Sequence, residues 1–400
     1  MKRLIPYAVV LNAWLTCFPL LAQTYLTSDM LPLTIMEPGY YVAVEPLVYP
    51  GAGPGILVTT NDVTLDLNGY TLSGPIVGAS SGIQQMFGLR GLMVKNGGLT
   101  GWGNLPGTAG IFAGGGNNRF ECLHIYDCGN GLWAGQNARV DAVTINTISG
   151  SGDHYGIQGD GNLWVRDSLV RSVNAAGIAY GIVGGMHGVV EHSVVTDITS
   201  DDAALGIAVS SGHVEHSVVG PVYGEFYAAG IAADDTLATR YCTVSEVQSP
   251  VESEGITISA GSSSTILRNA IAENGLALAQ GSGLHVALGH ASENALYAGR
   301  NEGVKAGFKS RVEHNVIALH PTASVLLEGT DSRLEGNLMA RSLVAVTFGL
   351  FTNTVVIRNA WGEQTFPVAP VNNHVADVLF LPGVDFDHPV RSYYFENISW

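Results

Sequence analysis

The sequence predicts an all-β chain: a single-stranded right-handed parallel β-helix, a solenoid of about 13 rungs with N- and C-terminal caps. Three observations predict it. The chain has 400 residues, of which 51 are glycine and only 13 % are charged, while 46 % are hydrophobic. That is too apolar for a disordered chain, and the glycines follow no collagen period. A Gly followed by an aliphatic residue recurs about every 24 residues, the mark of a repeat architecture. Between these marks apolar and polar residues alternate with period two, the signal of short strands.

The elements follow in order. Lys2 and Arg3 precede a mostly apolar run from Leu4 to Leu21, which reads as a signal peptide over 1–22. No later stretch is long and apolar enough to span a bilayer. The mature chain is therefore expected to be exported (secreted, periplasmic or cell-surface) with no membrane span after signal cleavage. Residues 23–54 are expected to cap the first rung, since a solenoid needs covered ends.

The body, 55–366, carries the repeat at Gly55-Ile56, Gly82-Ile83, Gly110-Ile111, Gly131-Leu132, Gly156-Ile157, Gly177-Ile178, Gly206-Ile207, Gly230-Ile231, Gly255-Ile256, Gly283-Leu284 and Gly303-Val304. Weaker copies are Ser324-Val325 and Ala345-Val346. Helical solenoids are excluded, because a glycine costs about 1 kcal/mol inside a helix. The glycines are expected to supply positive φ at turns. Residues 367–400, with Pro367, Pro370, Pro382 and Pro389 and no Gly-aliphatic pair, are expected to form the C-terminal rung and cap.

A second mark falls 10 to 15 residues after each glycine, as in Val165-Arg166-Asp167, Val190-Glu191-His192, Val214-Glu215-His216, Leu267-Arg268-Asn269, Val312-Glu313-His314 and Ile357-Arg358-Asn359. Stacked histidines at this position fit a metal site, or a ladder of turn residues that tolerate left-handed backbone. The Glu and Arg residues just before them are expected to face solvent. Cys122, Cys128 and Cys242 follow the signal peptide. A Cys122–Cys128 bridge and buried free thiols both fit their spacing.

The net charge is −16. Without Lys2 and Arg3 it is about −18. Nucleic acid is excluded as a partner, because phosphate binding needs a basic stripe.

The run Asp62-Val63-Thr64-Leu65-Asp66-Leu67-Asn68-Gly69 resembles the first-rung signature of secreted β-helix-repeat proteins of the pectate-lyase-like superfamily. So do Pro38-Gly39-Tyr40 through Gly55-Ile56-Leu57, Val94-Lys95-Asn96-Gly97 with Gly101-Trp102, and the closing Phe395-Glu396-Asn397-Ile398-Ser399-Trp400. The resemblance implies the fold and a polysaccharide or surface-glycan partner. The superfamily spans lyases, hydrolases, epimerases and tailspikes, so fold does not fix activity. Its hydrolases pair Asp-Asp with Gly-His-Gly. Here Asp201-Asp202 is followed by Gly212-His213, with Val214 in place of the second glycine. Its lyases rely on Lys or Arg, often with Ca²⁺. The mature chain offers Lys95, Lys305, Lys309 and, best placed among the arginines, Arg300.

The distance from second mark to next glycine is 9 or 10 residues in several rungs, such as 167 to 177, and 13 or 14 in four consecutive ones, 192–206, 216–230, 242–255 and 269–283. Lengthened loops on neighbouring rungs are expected to raise one wall of a mid-rod groove. They hold Asp201, Asp202 and Glu225, the candidate catalytic carboxylates. Tyr223, Tyr227, Glu252 and Glu254, with Asp153 and His154 from an earlier rung, are the candidate substrate-binding residues. Crowded carboxylates would raise one pKa and leave a proton donor. They would equally suit Ca²⁺, or simply solvate the rod.

The functional expectation is a polysaccharide hydrolase or lyase, with Asp202 and Glu225 as acid and base and Tyr227 stacking on sugar. The alternative is a non-catalytic surface or matrix protein that binds glycans or partners through its long face. A polyanionic substrate would be repelled unless cations bridge it.

Overall fold

The computed structural model describes residues 23–75, 80–103, 107–259, 264–272, 282–298, 302–320, 322–329, 331–342, 344–348, 355–357, 359–362, 374–376 and 379–380. The expected signal peptide, Arg300 and the closing run Phe395 to Trp400 lie outside the described residues.

The chain is a right-handed parallel β-helix with three strands per coil. One stack is a 14-stranded sheet, from Leu33–Ile35 to Val344–Phe348, each strand parallel to the next. The other two stacks are joined by the long strands Met93–Thr100 and Arg119–Cys128, which run through the bend between them. The first sheet begins before the first Gly-aliphatic pair: Leu33–Ile35, in the stretch expected to cap the rod, pairs with Ile56–Val58 in register. At the other end His374–Ala376 and Leu379–Phe380 pair with Val355–Ile357 and Ala360–Gly362.

Each coil buries one aliphatic residue of the first sheet over the next. The column Ile157, Ile182, Ile207, Ile231, Ile256, Leu284, Val304 and Val325 is fully buried. This column corrects one repeat: Gly181-Ile182, not Gly177-Ile178, is the member between Ile157 and Ile207. Coils run 25 residues from Ile157 to Ile182, 28 from Ile256 to Leu284 and 20 from Leu284 to Val304.

The repeat glycines are needed for a different reason from the one expected. None of Gly82, Gly110, Gly206, Gly230 or Gly303 is among the positive-φ glycines of the described residues. A Cβ on Gly206 or Gly230 would instead sit 2.6 Å from the carbonyl oxygen of the next coil's glycine, and would also collide with Val219 or Val244. Close approach of backbones, not turn geometry, selects glycine there.

One set of left-handed positions falls on the second mark. Asp167, His192, His216, Tyr241, Arg268, Glu293 and His314 all have φ between 47° and 55°. The ring pairs His192–His216 and His216–Tyr241 stack with centroids 5.0 and 4.9 Å apart. Asn269 does not share that position; it follows Arg268 and turns inward.

A buried ladder results. The backbone N–H of Asn269, Asn294, Asn315 and Asn337 each donates to the side-chain oxygen of the next asparagine at 2.9 Å, ending on Asn359. Ser168, Ser193 and Ser217 continue the motif in earlier coils. The residues just before the left-handed turn face outward as expected, in a charged stripe that includes Arg166–Asp141 at 3.3 Å and Arg240–Glu215 at 3.7 Å.

The three cysteines are unbridged, with Cys122 exposed and Cys128 and Cys242 buried. Burial pushes the Cys128 thiol up to about 12 and the Cys242 thiol up to about 11.

His320 lies inside the coil, 1 % exposed. Burial pushes its imidazole down to about 4, and neither ring nitrogen has a hydrogen-bond partner among the described residues. The unfolded chain binds this proton near pH 6.5 and the folded chain only near 4, so neutral His320 favours folding. That contribution is complete above pH 6.5 and falls by about 3 kcal/mol as pH drops toward 4. His154, depressed by burial as well, acts in the same direction. Thermal melts between pH 7.5 and 4 should show a shallower acid slope for His320→Leu than for wild type. An identical slope would contradict the assignment.

Candidate functional site

In the three wide coils whose spans are described, 192–206, 216–230 and 242–255, the extra residues do not form long loops. They lengthen strands on either side of a tight turn: Leu169–Ala175 and Ala179–Gly184, Val194–Ser200 and Ala203–Val209, Val222–Gly224 and Tyr227–Ala233. The coil starting at Ala142 has the same long spacing, and with the corrected repeat so does the one starting at Asp167. Over those three coils the expected wall of lengthened loops is therefore a widened coil, while residues 273–281 of the fourth lie outside the described residues.

This relocates the candidate residues. Asp201, Asp202 and Glu225 are exposed at turn tips. There the backbone N–H of Asp202 donates to Ser200 Oγ at 2.8 Å, and the carbonyl of Asp202 accepts from the N–H of Phe226 at 2.9 Å. Tyr223 stands on a different sheet, across from Thr199 and Gln248. Asp153 ties its turn to the next coil by accepting the N–H of Ile178 at 2.8 Å. His154 points into the coil, 6 % exposed, with Nδ1 3.2 Å from Asn130 Oδ1. Among the described residues no group of three or more His, Cys, Asp or Glu could hold a metal ion. The exposed turn carboxylates do not fit a Ca²⁺ cage.

Tyr227, Glu252 and Glu254 do come together, on the outer face of the first sheet. The geometry follows from the pleat. Ile256 and Ile258 point into the core, while Thr257 alternates to the outside. The ladder skips the pair Gly230–Gly255, so the residue before each repeat glycine also faces out.

Glu254, 5 % exposed, accepts from Tyr227 Oη at 3.0 Å and lies 3.0 Å from His285 Nδ1. Burial would raise its carboxyl. The hydrogen bond and charge of His285, with hydrogen bonds from Thr257 and Tyr227, outweigh burial and hold Glu254 below the usual carboxylate value. Tyr227 is pushed far up, by burial first and then by Glu254, so it keeps its proton. An ionised Glu254 takes Nδ1–H of His285, which leaves Nε2 bearing the lone pair of the neutral ring.

Ser282 and Glu302 occupy the same outward position on the next two coils, each one residue before its glycine, and pair across the ladder. Glu302 thus lies about 10 Å from Glu254 along the rod. Its carboxyl moves the opposite way. Burial raises it, its own backbone N–H and Lys305 lower it in part, and Glu328 raises it again, for a net upward shift. Lys305, next to His285 in the ladder, is tied to Glu328 at 3.3 Å. Ser282 Oγ is buried without a hydrogen-bond partner among the described residues.

His285 and Glu302 escaped the sequence reading, which searched the turns. Their signal was present. Each sits at a fixed offset from its repeat glycine, at the outward positions flanking Gly283-Leu284 and Gly303-Val304.

A separate hollow of about 530 Å³ lies at a corner of the rod, where Gly97 and Gly98 leave room beside Cys122 and His124. It brings no such acid–base pair together.

No protein-family model matches the sequence, and no curated protein matches it. Solved structures do resemble the fold. The A-module of a mannuronan C-5 epimerase from Azotobacter vinelandii is 15 % identical, with 86 % of this chain and 91 % of that one covered, at a TM-score of 0.38. A periplasmic alginate epimerase is 12 % identical over 90 % of this chain and 83 % of that one, at 0.45. A tailspike protein of bacteriophage CBA120 is 14 % identical over 86 % of this chain and 57 % of that one, at 0.39. At these identities what the chains have in common is the parallel β-helix.

Proposed function

We propose that the protein is an exported polysaccharide hydrolase whose centre is the outer face of the first sheet at Tyr227, Glu254, His285 and Glu302. One observation carries the reading: a histidine oriented by a nearly buried glutamate held below the usual carboxylate value stands one coil from a carboxyl group that burial raises above it. Titratable groups pushed apart in pKa within one site are how acid and base roles are divided.

In this reading Glu302 protonates the departing glycosidic oxygen, and His285 Nε2 takes the proton from the attacking water. Glu254 is a positioning residue. It holds the ring's tautomer and stabilises the imidazolium that forms, with Tyr227 and Thr257 fixing the carboxylate in turn. Hydrolysis is preferred to elimination because Lys305, the basic residue beside the site, is already paired with Glu328.

The test is turnover on a panel of neutral and acidic polysaccharides, with EDTA or Ca²⁺ added. New reducing ends and absorbance at 235 nm are followed together. Reducing ends without the absorbance, lost in His285→Asn, are expected. A rise at 235 nm would make the enzyme a lyase. No turnover on any glycan would leave a non-catalytic binding protein.

A further inference from the structure

The same outer face carries a second feature, toward the N-terminal end of the rod. Gln84, Phe112, Trp133 and Gln158 are ladder partners on four successive coils, all at the outward position just after the buried aliphatic residue. Two aromatic rings thus lie in one line along the rod, with an amide at each end.

The rings are fixed. Phe112 is 7 % exposed, packed edge-on against Phe87 at 5.6 Å and tilted against Trp133 at 4.8 Å. Trp133 meets the edge of Tyr155 at 6.1 Å, and its Nε1 donates to Asp160 Oδ2 at 3.0 Å. Tyr155 is 8 % exposed, and its hydroxyl has no hydrogen-bond partner among the described residues. Phe87 rests on Gly114, where a Cβ would come 2.9 Å from the ring, and is itself 73 % exposed. Gly114 therefore leaves room for a surface ring.

We infer that this line is a binding site for an uncharged glycan, laid along the rod with its pyranose C–H faces on Phe87 and Trp133 and its hydroxyls on Gln84, Gln158 and Asp160. Aromatic rings supply apolar area with a fixed geometry, and amides serve hydroxyls as both donor and acceptor. A pyranose ring is about as long as one coil is high, so sugars and coils keep step. Charge decides the class of glycan. The line carries no cation, Asp160 is bound to the indole, and the chain is at −16, so a polyanion is repelled. The inference rests on reading the rod as a glycan-handling protein and adds where, and which kind of glycan, it holds. The line lies six coils from His285, about 29 Å, so it is separate from the acid–base cluster.

Affinity electrophoresis of the full chain through gels containing glucomannan, arabinoxylan, soluble starch or a mixed-linkage β-glucan tests it, with polygalacturonate as the polyanion. At least one neutral glycan should retard the protein. Trp133→Ala should weaken that retardation at least tenfold and Trp133→Phe much less. Phe87→Ala removes an exposed ring and should weaken it severalfold without endangering the fold. Tyr297→Ala, which removes an exposed ring on another face of the rod, should bind like wild type. No retardation by any neutral glycan, retardation by polygalacturonate alone, or unchanged binding in both Phe87→Ala and Trp133→Ala would overturn the inference. So would sedimentation showing that Trp133→Ala instead abolishes self-association. If His285→Asn loses turnover while the aromatic variants bind normally, the catalytic reading stands and this one falls. If the aromatic variants lose binding but no glycan is ever cleaved, the reverse holds.

Discussion

Glu302→Gln is expected to lower kcat/KM on the cognate polysaccharide by about 10² to 10⁴-fold, the usual worth of a positioned general acid. The loss should be far smaller on an aryl glycoside of the same sugar, whose leaving group departs without a proton. The sign of the pH dependence follows from the role. Glu302 must be protonated to act, and burial has raised its carboxyl above the ordinary value. Activity should therefore persist past the pH at which an exposed glutamate ionises, then fall as pH climbs through the raised value. In Glu302→Gln, the residual aryl-glycoside activity should lack that alkaline limb. Equal losses on both substrates with the limb intact would remove Glu302 from the acid role. Glu254→Gln gives the complementary result. Its amide cannot neutralise an imidazolium, so kcat should fall with little change in KM, as expected of a group that acts through His285.

Asn315→Ala should be among the most damaging single changes to the fold. The side chain accepts from the backbone N–H and the amide of Asn294, and donates to Ala291 O at 3.0 Å and Asn337 Oδ1 at 2.9 Å. Alanine leaves several buried polar groups unpaired, and each costs roughly 1–3 kcal/mol. A loss of at least about 3 kcal/mol is expected, read from denaturant unfolding with the m-value compared to wild type. Asn315→Ser, which mimics the serine steps at Ser193 and Ser217, should recover part of it. A change under 1 kcal/mol for Asn315→Ala would show that the ladder is not a major source of stability.

The solenoid was legible in the sequence because its constraint repeats. Glycine is imposed wherever a Cβ would strike the next coil's carbonyl, so the pattern returned often enough to be counted. The reason assigned to it was wrong at the repeat positions, since sequence alone does not separate a glycine that needs positive φ from one that needs room. Gly177-Ile178 was mistaken for the repeat because it has the same two letters four residues too early. That slip shortened one coil's apparent spacing and made a strand extension look like a loop. Tyr227 and Glu254 were singled out for their place near loops. Their partners His285 and Glu302 stand at unremarkable offsets, and only the register of successive coils brings them to one face. Asn269 shows the same limit on a smaller scale: one residue separates a left-handed turn position from the interior ladder.

The unequal coils have a further consequence. A tube of identical turns offers a bound chain no preferred stopping place, since each shift by one turn restores the same contacts. Here the turns shorten twice, from 28 to 21 residues at Ile111 and from 28 to 20 at Leu284. Translational equivalence is broken at two shoulders, with Phe112 at the first and His285 at the second. The rod is thus graduated like a ruler, with its two marks seven coils apart.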